Sequence, residues 1–552
     1  MTATPPPLPT CNIVMKGGIT SGVVYPLTIV ALSQKYRFQG IGGTSAGAIA
    51  AALTAAAELG RGSGGFDRLA AVASELPGKL RSLFQPAPRG RALFNFLMAM
   101  AKRRGPWAKA RALPQLAWRF PLTFLAGIVP AGASGLWGHF GDHGVFALVA
   151  SLPLLLLGLL SAFGLRFATT LLHLGRDDFG FCPGIQQPGA KEPALLDWLD
   201  VLLDQVAGRA GSEKPLTFGE LDVAGIELQC FTTCVSLGRP YVMPWETDEF
   251  FYRPEELRQV FPERVVGWMD THSEAFEQDP SFRKLPPRTD LPVLLAVRMS
   301  LAFPFLFSAV PLWMRDFGRA VEAERQVPRR VLFSDGGMSS NLPLQLFDRL
   351  WPTMPTFAIT LDRWSADHHQ RPGEGETRVW LPESAGSGRL LPITPITSVG
   401  AFIGRLIKSM KEWNDQLQGT LPGYRERIAH ICLKDEEGGL NLNMSPEQIA
   451  QLVGFGKLAG ETLRDDFDWD AHHWTRMLSA IDRLAGSLAA LDDASIDLVR
   501  NRPRKPPHKP KSEAWQAQAA DTLEELRRIG NSGLAPNPVP KPLPQLRIVP
   551  RP

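Results

Sequence analysis

Residues 41–47 read Ile-Gly-Gly-Thr-Ser-Ala-Gly and run directly into an alanine-rich stretch, Ala48 to Leu59. Phe38 to Gly42 is a short run ending on glycine, which predicts a buried strand, and Ser45 to Leu59 carries the small residues of a helix packed closely on a sheet. The turn between them, Gly43-x-Ser45-x-Gly47, has the form of a serine nucleophile elbow: a strand turns sharply into a helix, and the flanking glycines make room for a strained central residue. Ser45 is thereby expected at a helix N-terminus, where free N–H groups and the helix dipole favour the negative charge of a tetrahedral oxyanion. The same residues could form a glycine-rich structural turn, so context has to decide.

Just upstream, Cys11-Asn-Ile-Val-Met-Lys-Gly-Gly-Ile-Thr-Ser-Gly22 reads as a strand followed by a loop, in which Gly17 and Gly18 can present consecutive backbone N–H groups to an anion. It is not a nucleotide phosphate loop, because the Gly-x-x-x-x-Gly-Lys-Ser/Thr spacing is absent and the lysine precedes the glycines. Far downstream, Arg330-Val-Leu-Phe-Ser-Asp-Gly-Gly-Met-Ser-Ser-Asn-Leu-Pro343 is an apolar strand that ends on Asp335 and a glycine turn. A serine hydroxyl is a weak nucleophile until a base takes its proton, and a carboxylate within hydrogen-bond reach can do so directly. Taken alone, Asp335 could equally form an Asx turn.

Together the three segments resemble the patatin-like phospholipase family, serine acyl hydrolases that use a Ser–Asp dyad in place of a Ser–His–Asp triad. The resemblance implies Ser45 as nucleophile, Asp335 as base, and the N–H groups of Gly17 and Gly18, with that of Ala46, as the oxyanion hole. Asn341 and Pro343 match the family's pattern after Asp-Gly-Gly, and Arg298-Met-Ser-Leu-Ala-Phe-Pro-Phe-Leu-Phe307 is similar to the helix, proline and phenylalanine that precede its aspartate strand. The resemblance also implies a three-layer α/β/α hydrolase with a mostly parallel central sheet. Such an enzyme would cleave fatty-acyl esters of membrane phospholipids, as a phospholipase A or lysophospholipase, with no metal and no cofactor. The matching segments lie roughly within residues 10–80 and 215–370.

One position departs from the family. Its oxyanion loop reads Gly-Gly-Gly-x-Arg/Lys-Gly, whereas here Lys16 stands at the first glycine and Thr20-Ser21 where the basic residue belongs. Backbone donors do not depend on side-chain identity, so the oxyanion hole is expected to survive. Lys16 is the nearest candidate for a substitute cation.

Between nucleophile and base lies a segment of different character. From Leu76 to Gly141 there is no acidic residue, while Lys79, Arg81, Arg89, Arg91, Lys102, Arg103, Arg104, Lys109, Arg111 and Arg119 are interleaved with Phe94, Phe96, Trp107 and Trp118. Basic residues with aromatic anchors suit an anionic membrane surface. Two uncharged runs come next, 120–141 and 144–165, separated by Asp142-His143, each as long as the ~20 residues that cross a bilayer core. Basic residues outside both ends predict a hydrophobic helical hairpin with both ends on the cytoplasmic side, integral through 120–165. A shallow monotopic insertion and a soluble apolar lid are the other readings. A charge run leading into two apolar segments of this length fits lipid rather than nucleic acid.

The expected organisation is the first half of a catalytic domain at 10–85, the membrane-associating insertion at 86–180, the second half at 181–370, a mainly helical region at 371–500 and a basic, proline-rich, largely disordered tail at 501–552. The 59 Lys and Arg against 55 Asp and Glu make the basic excess local rather than global. Five cysteines in apolar surroundings read as reduced core thiols, and the N-terminus has neither the basic nor the apolar region of a signal peptide. Val399, Phe402, Ile403, Leu406, Ile407, Met410, Trp413 and Leu417 keep helical spacing, which predicts a helix with that face packed on the core, or laid on lipid. Two other functions fit the same residues. One is a Ser–Asp–His esterase using His368 or His369, although only 44 residues precede Ser45, too few for the strands such a fold places first. The other is a catalytically silent membrane-anchored interaction protein, whose protein partner the sequence does not name.

Overall fold

The computed structural model describes residues 7–18, 20–101, 121–140, 144–245, 249–370, 375–387, 393, 395–439, 441–442, 444–501 and 512–532. Most of the basic run between the dyad residues, the Asp142-His143 pair and most of the proline-rich tail fall outside them.

The elements, in chain order, are β1 (Thr10–Met15), α1 (Tyr25–Ser33), β2 (Arg37–Gly43), α2 (Ala46–Leu59), α3 (Gly65–Lys79), α4 (Pro121–Phe140), α5 (Gly144–Leu174) and α6 (Leu195–Val206). They continue with β3 (Glu227–Cys234), β4 (Arg239–Met243), β5 (Phe250–Tyr252), β6 (Arg283–Lys284), α7 (Val293–Ser300), β7 (Val310–Arg315), β8 (Pro328–Asp335) and β9 (Thr356–Arg363). Then come β10 (Val379–Trp380), α8 (Val399–Gly419), β11 (Ile428–Leu433) and α9 (Pro446–Asp465). Further helices, among them Arg91–Ala101 before α4 and Trp469–Ala489, Asp493–Asn501 and Glu513–Gly530 after α9, and a small strand pair, Gly180–Cys182 with Phe305–Phe307, complete the described residues.

One large mixed sheet organises the molecule, with strands in the order β10-β11-β9-β1-β2-β3-β8-β7-β5-β6 and β4 added to β3. The five central strands, β11, β9, β1, β2 and β3, are mutually parallel. From β8 outward the pairing is antiparallel. β11 and α9 come from the region expected to be a separate helical part, yet they share the sheet and its core.

On one face Ile13, Met15, Ile41, Phe357 and Ile359 are buried with residues of α1, α2 and α9. α9 lies so close to α1 that a Cβ at Gly456 would stand 1.9 Å from the Val24 carbonyl oxygen. On the other face Val14, Ala358 and Ile428 pack against Leu342, Leu344 and Phe347. Where a helical layer was expected over these strands, an irregular segment lies directly on the sheet. Gly40 and Gly42 make this possible, since a Cβ at either would stand within 2.7 Å of Phe347 or Leu346.

Two expectations change. α8 forms at the expected place, but its apolar stripe points outward: Val399 is 77% exposed and Leu417 60%, with Phe402, Ile403, Leu406 and Trp413 exposed between them. The helix is held by its opposite side, where Asp415 is buried, so the core-packing reading of that face is corrected. α4 and α5 do pack together, with a Cβ at Gly127 placed 2.9 Å from Leu159 Cα. Of the two apolar runs, however, among the described residues only Pro153–Asp177 is long and apolar enough to cross a bilayer, at mean hydropathy 1.8, while the apolar part of α4, Pro121–Ser134, is shorter.

Candidate active site

The elbow forms where the glycines require it. Ser45 has φ 54° and ψ −128°, a strained backbone for a residue with a side chain, and it caps the N-terminus of α2. Neither flanking glycine can be replaced without a clash: a Cβ at Gly43 would lie 2.2 Å from the Gly47 carbonyl oxygen, and one at Gly47 would lie 2.2 Å from that of Met15. The Ser45 N–H donates to Ser300 Oγ at 3.0 Å, which ties the turn to the last residue of α7.

Asp335 reaches the same point from the opposite direction. β2 ascends beside β3, with Gly43 opposite Cys230, and β8 descends on the other side of β3, with Asp335 opposite Thr232. Thr233 Oγ1 donates to the Asp335 carbonyl oxygen at 3.0 Å, and the Gly337 N–H donates to Asp335 Oδ1 at 2.8 Å. The other carboxylate oxygen, Oδ2, is buried without a hydrogen-bond partner. Burial raises the Asp335 carboxyl above the usual carboxylate range; the Ser45 hydroxyl, the Lys411 charge and the Gly337 N–H oppose that rise. No hydrogen bond joins Ser45 to Asp335 Oδ2 among the described residues.

Asn341 joins the segments. Its carbonyl oxygen accepts from the Gly17 N–H at 2.9 Å and from Thr44 Oγ1 at 3.0 Å. Its side chain occupies the space that a Cβ would take at Gly17 or at Gly337, 2.5 and 2.6 Å from Oδ1. Of the three N–H groups expected in the oxyanion hole, that of Gly17 is thus already bonded. Those of Gly18 and Ala46 have no acceptor among the described residues, and Ala46 begins α2, where no intrahelical acceptor exists.

The cations fall differently from the expectation. Lys16 turns away into the sheet, donating to Thr360 Oγ1 at 3.3 Å and the Leu361 carbonyl at 3.2 Å, with Asp362 3.8 Å away. It is thereby occupied as a structural ion. The charge that acts on Asp335 comes instead from Lys411 of α8, whose Cε is 3.5 Å from where a Gly337 Cβ would be and whose Nζ is 5.7 Å from the centre of the Phe303 ring. Asp415, one turn further on, accepts from Ser340 Oγ at 2.8 Å and from the N–H groups of Asn341 and Leu342 at 2.6 and 2.9 Å. Sequence reading gave Ser300, Lys411 and Asp415 no role in the site; Ser300 lies within the Arg298–Phe307 block, and the only local signal for Lys411 and Asp415 is their place off the apolar stripe of α8.

Arg298, from the block before the aspartate strand, is wholly buried and donates to the Pro183 and Ser308 carbonyls. Burial pushes its guanidinium down to about 9. It braces the helix that carries Ser300, and its hydrogen bonds among the described residues go to neither Ser45 nor Asp335. No histidine bonds to Ser45 or Asp335 among the described residues; His369 Nδ1 is engaged with the Ser365 backbone. All five cysteines are buried thiols.

No family model matches the chain. Among solved structures it is similar to VipD from Legionella pneumophila, at 13% identity and TM-score 0.31, covering 95% of this chain and 85% of that one. It is also similar to the ExoU–SpcU complex from the type III secretion system of Pseudomonas aeruginosa, at 16% identity and TM-score 0.21, covering 95% and 71%. Both scores are too low to equate the folds. In sequence it is 34% identical to a Rhizobium meliloti (strain 1021) protein described as RpoH suppressor, over 98% of each chain. At that identity, sustained end to end, the chain belongs to the family of the RpoH suppressor.

Proposed function

We propose that the protein is a serine acyl hydrolase of the patatin-like type, cleaving fatty-acyl esters of membrane lipids through Ser45 and Asp335. The observation that carries this reading is a strained serine at a helix N-terminus beside a buried carboxylate with one unpartnered oxygen. Ser45 Oγ attacks the ester carbonyl carbon while its proton passes to Asp335 Oδ2, and the N–H groups of Gly18 and Ala46 hold the oxyanion. As the tetrahedral adduct collapses, the alcohol leaves with the proton from Asp335. Water then attacks the acyl-enzyme, with Asp335 again as base, and the fatty acid departs. A carboxyl raised by burial suits this alternation between base and acid.

The lipid surface enters through α4 and α5, whose apolar side chains, Leu125, Val129, Leu156, Leu157 and Leu160 among them, are exposed. We assign this hairpin to membrane attachment, with the basic segment before it toward anionic headgroups on the cytoplasmic side.

Acyl release from mixed phospholipid vesicles tests the reading. Wild type is expected to release fatty acid, Ser45→Ala and Asp335→Asn to release none, and a His368→Ala/His369→Ala double variant to retain it. Loss in the histidine variant would favour a Ser–Asp–His esterase. A second reading, a silent membrane-anchored interaction protein, draws on the Gly17 N–H being occupied by Asn341. Vesicle binding by wild type without release from any lipid would favour it.

A further inference from the structure

An apolar cavity begins next to the elbow and runs along α2. Its near end is formed by Ala46 and Leu301, and its walls by Ile49, Ala50 and Leu53 of α2 facing Val72 of α3.

The chemistry of the lining is one-sided. No charged side chain contributes to it. Three hydroxyls do, and each is already bonded to a backbone carbonyl: Thr20 to Gly439, Tyr25 to Lys16 and Thr54 to Ala50. Beyond the Ala46 N–H at the near end and the Trp198 indole N–H, a polar guest would lose its hydrogen bonds to water and meet apolar walls, whereas an alkyl chain loses nothing. The direction of the cavity matters as much. From Ala46 to Thr54 the helix rises ~12 Å, and an extended alkyl chain of roughly nine methylenes has that length. Ala46 also carries the N–H free to hold the ester oxygen, so a chain entering here is joined to the carbonyl that Ser45 attacks.

We infer that this cavity is an acyl-chain tunnel that takes the fatty-acyl part of the substrate, and that Ala50 on one wall and Val72 on the other set how long an unbranched chain can be seated. The inference rests on the acyl-hydrolase reading and deepens it, by naming the group that is bound and the residues that measure it. Ala50 is the sensitive position, because its methyl is the smallest side chain midway along the α2 wall.

The test uses the full-length protein with nitrophenyl butyrate and nitrophenyl decanoate, and reads the ratio of kcat/KM for the two. Wild type is expected to favour decanoate by about 10-fold or more, and Ala50→Phe and Val72→Phe each to lower that ratio by about 10-fold. A second readout needs no turnover: calorimetry of decanoate binding to Ser45→Ala protein, expected to show binding that is lost when Ala50→Phe is added. A ratio unchanged in both phenylalanine variants, with thermal unfolding showing both folded, would overturn the tunnel. If wild type cleaves neither ester, the hydrolase reading fails and calorimetry alone decides: decanoate binding that Ala50→Phe abolishes sustains the tunnel, and no binding overturns it.

Discussion

Lys411 makes Asp335 sensitive to a residue that no motif contains. Burial raises the Asp335 carboxyl and the Lys411 charge works against that rise, so the carboxylate stays ionised to lower pH than burial alone would allow. Removing the charge lets the carboxyl rise further. Lys411→Met is therefore predicted to move the acidic limb of the kcat/KM profile to higher pH, while Lys411→Arg leaves it near the wild-type position. An unmoved limb in Lys411→Met would show that the charge is not felt at the base. The same carboxyl bears on stability. Its folded-state pKa lies above the unfolded value, so the folded protein binds more protons between the two, and stability falls as pH rises through that window. Asp335→Asn removes this cost, and is predicted to raise the melting temperature at neutral pH even as it abolishes turnover. At this scale the sequence was legible for Ser45, Gly43 and Gly47, because an elbow is a local event. The partition of donors between Gly17 and Gly18 was not, because it depends on the Asn341 carbonyl.

α8 carries more than its sequence pattern suggests. Its period predicts an amphipathic helix, and Ser398 caps it by accepting from the Ala401 N–H at 3.1 Å. Periodicity alone cannot say which face turns inward. Three bonds to one buried carboxylate decide that here, since Asp415 clamps residues 340–342, immediately after the Asp-Gly-Gly turn. Asp415→Ala leaves two buried N–H groups unpaired and is predicted to cost about 2–3 kcal/mol in chemical denaturation, with a fall in kcat larger than any change in KM. A fall in stability with kcat preserved would mean that the clamp does not shape the site. The hairpin of α4 and α5 makes the complementary case. The far end of α5 reaches the core through Leu174, while Leu156 and Leu160 are exposed. Leu156→Arg/Leu160→Arg is predicted to shift the protein from the membrane pellet to the supernatant, since each arginine costs about 2.5–3.5 kcal/mol at a bilayer centre. Unchanged pelleting would assign membrane attachment to another part of the chain.

For the whole molecule, the candidate site is a product of sheet order. Ser45 and Asp335 meet because β2 and β8 flank β3 with opposite directions, and because α7, which supplies Ser300, closes over the turn. The sheet itself is closed late in the chain. β11 pairs with β9 from Ala358 to Arg363, and Thr28 of α1 donates to the Gly456 carbonyl of α9 at 2.8 Å. A chain ending at residue 370 would contain every motif residue named from the sequence, yet leave β9 as an open edge and α1 uncovered. It is predicted to be insoluble or to lack a cooperative unfolding transition, whereas a soluble, cooperatively folding product would mark 371–500 as dispensable.

The elbow, the aspartate turn, the glycine loop and the long apolar runs could all be named from residues 10–165 and 330–343, because each is encoded by neighbours within one turn or one helix of one another. The amphipathic helix beginning at Val399 was legible for the same reason. The outward face of α8, the origin of the cation in the site, the pairing of Lys16 with Asp362 and the membership of β11 in the central sheet were decided by tertiary structure. Each of these joins residues distant in sequence, and such contacts leave no periodic trace in the chain. They are fixed only when burial forces every polar group to find a partner.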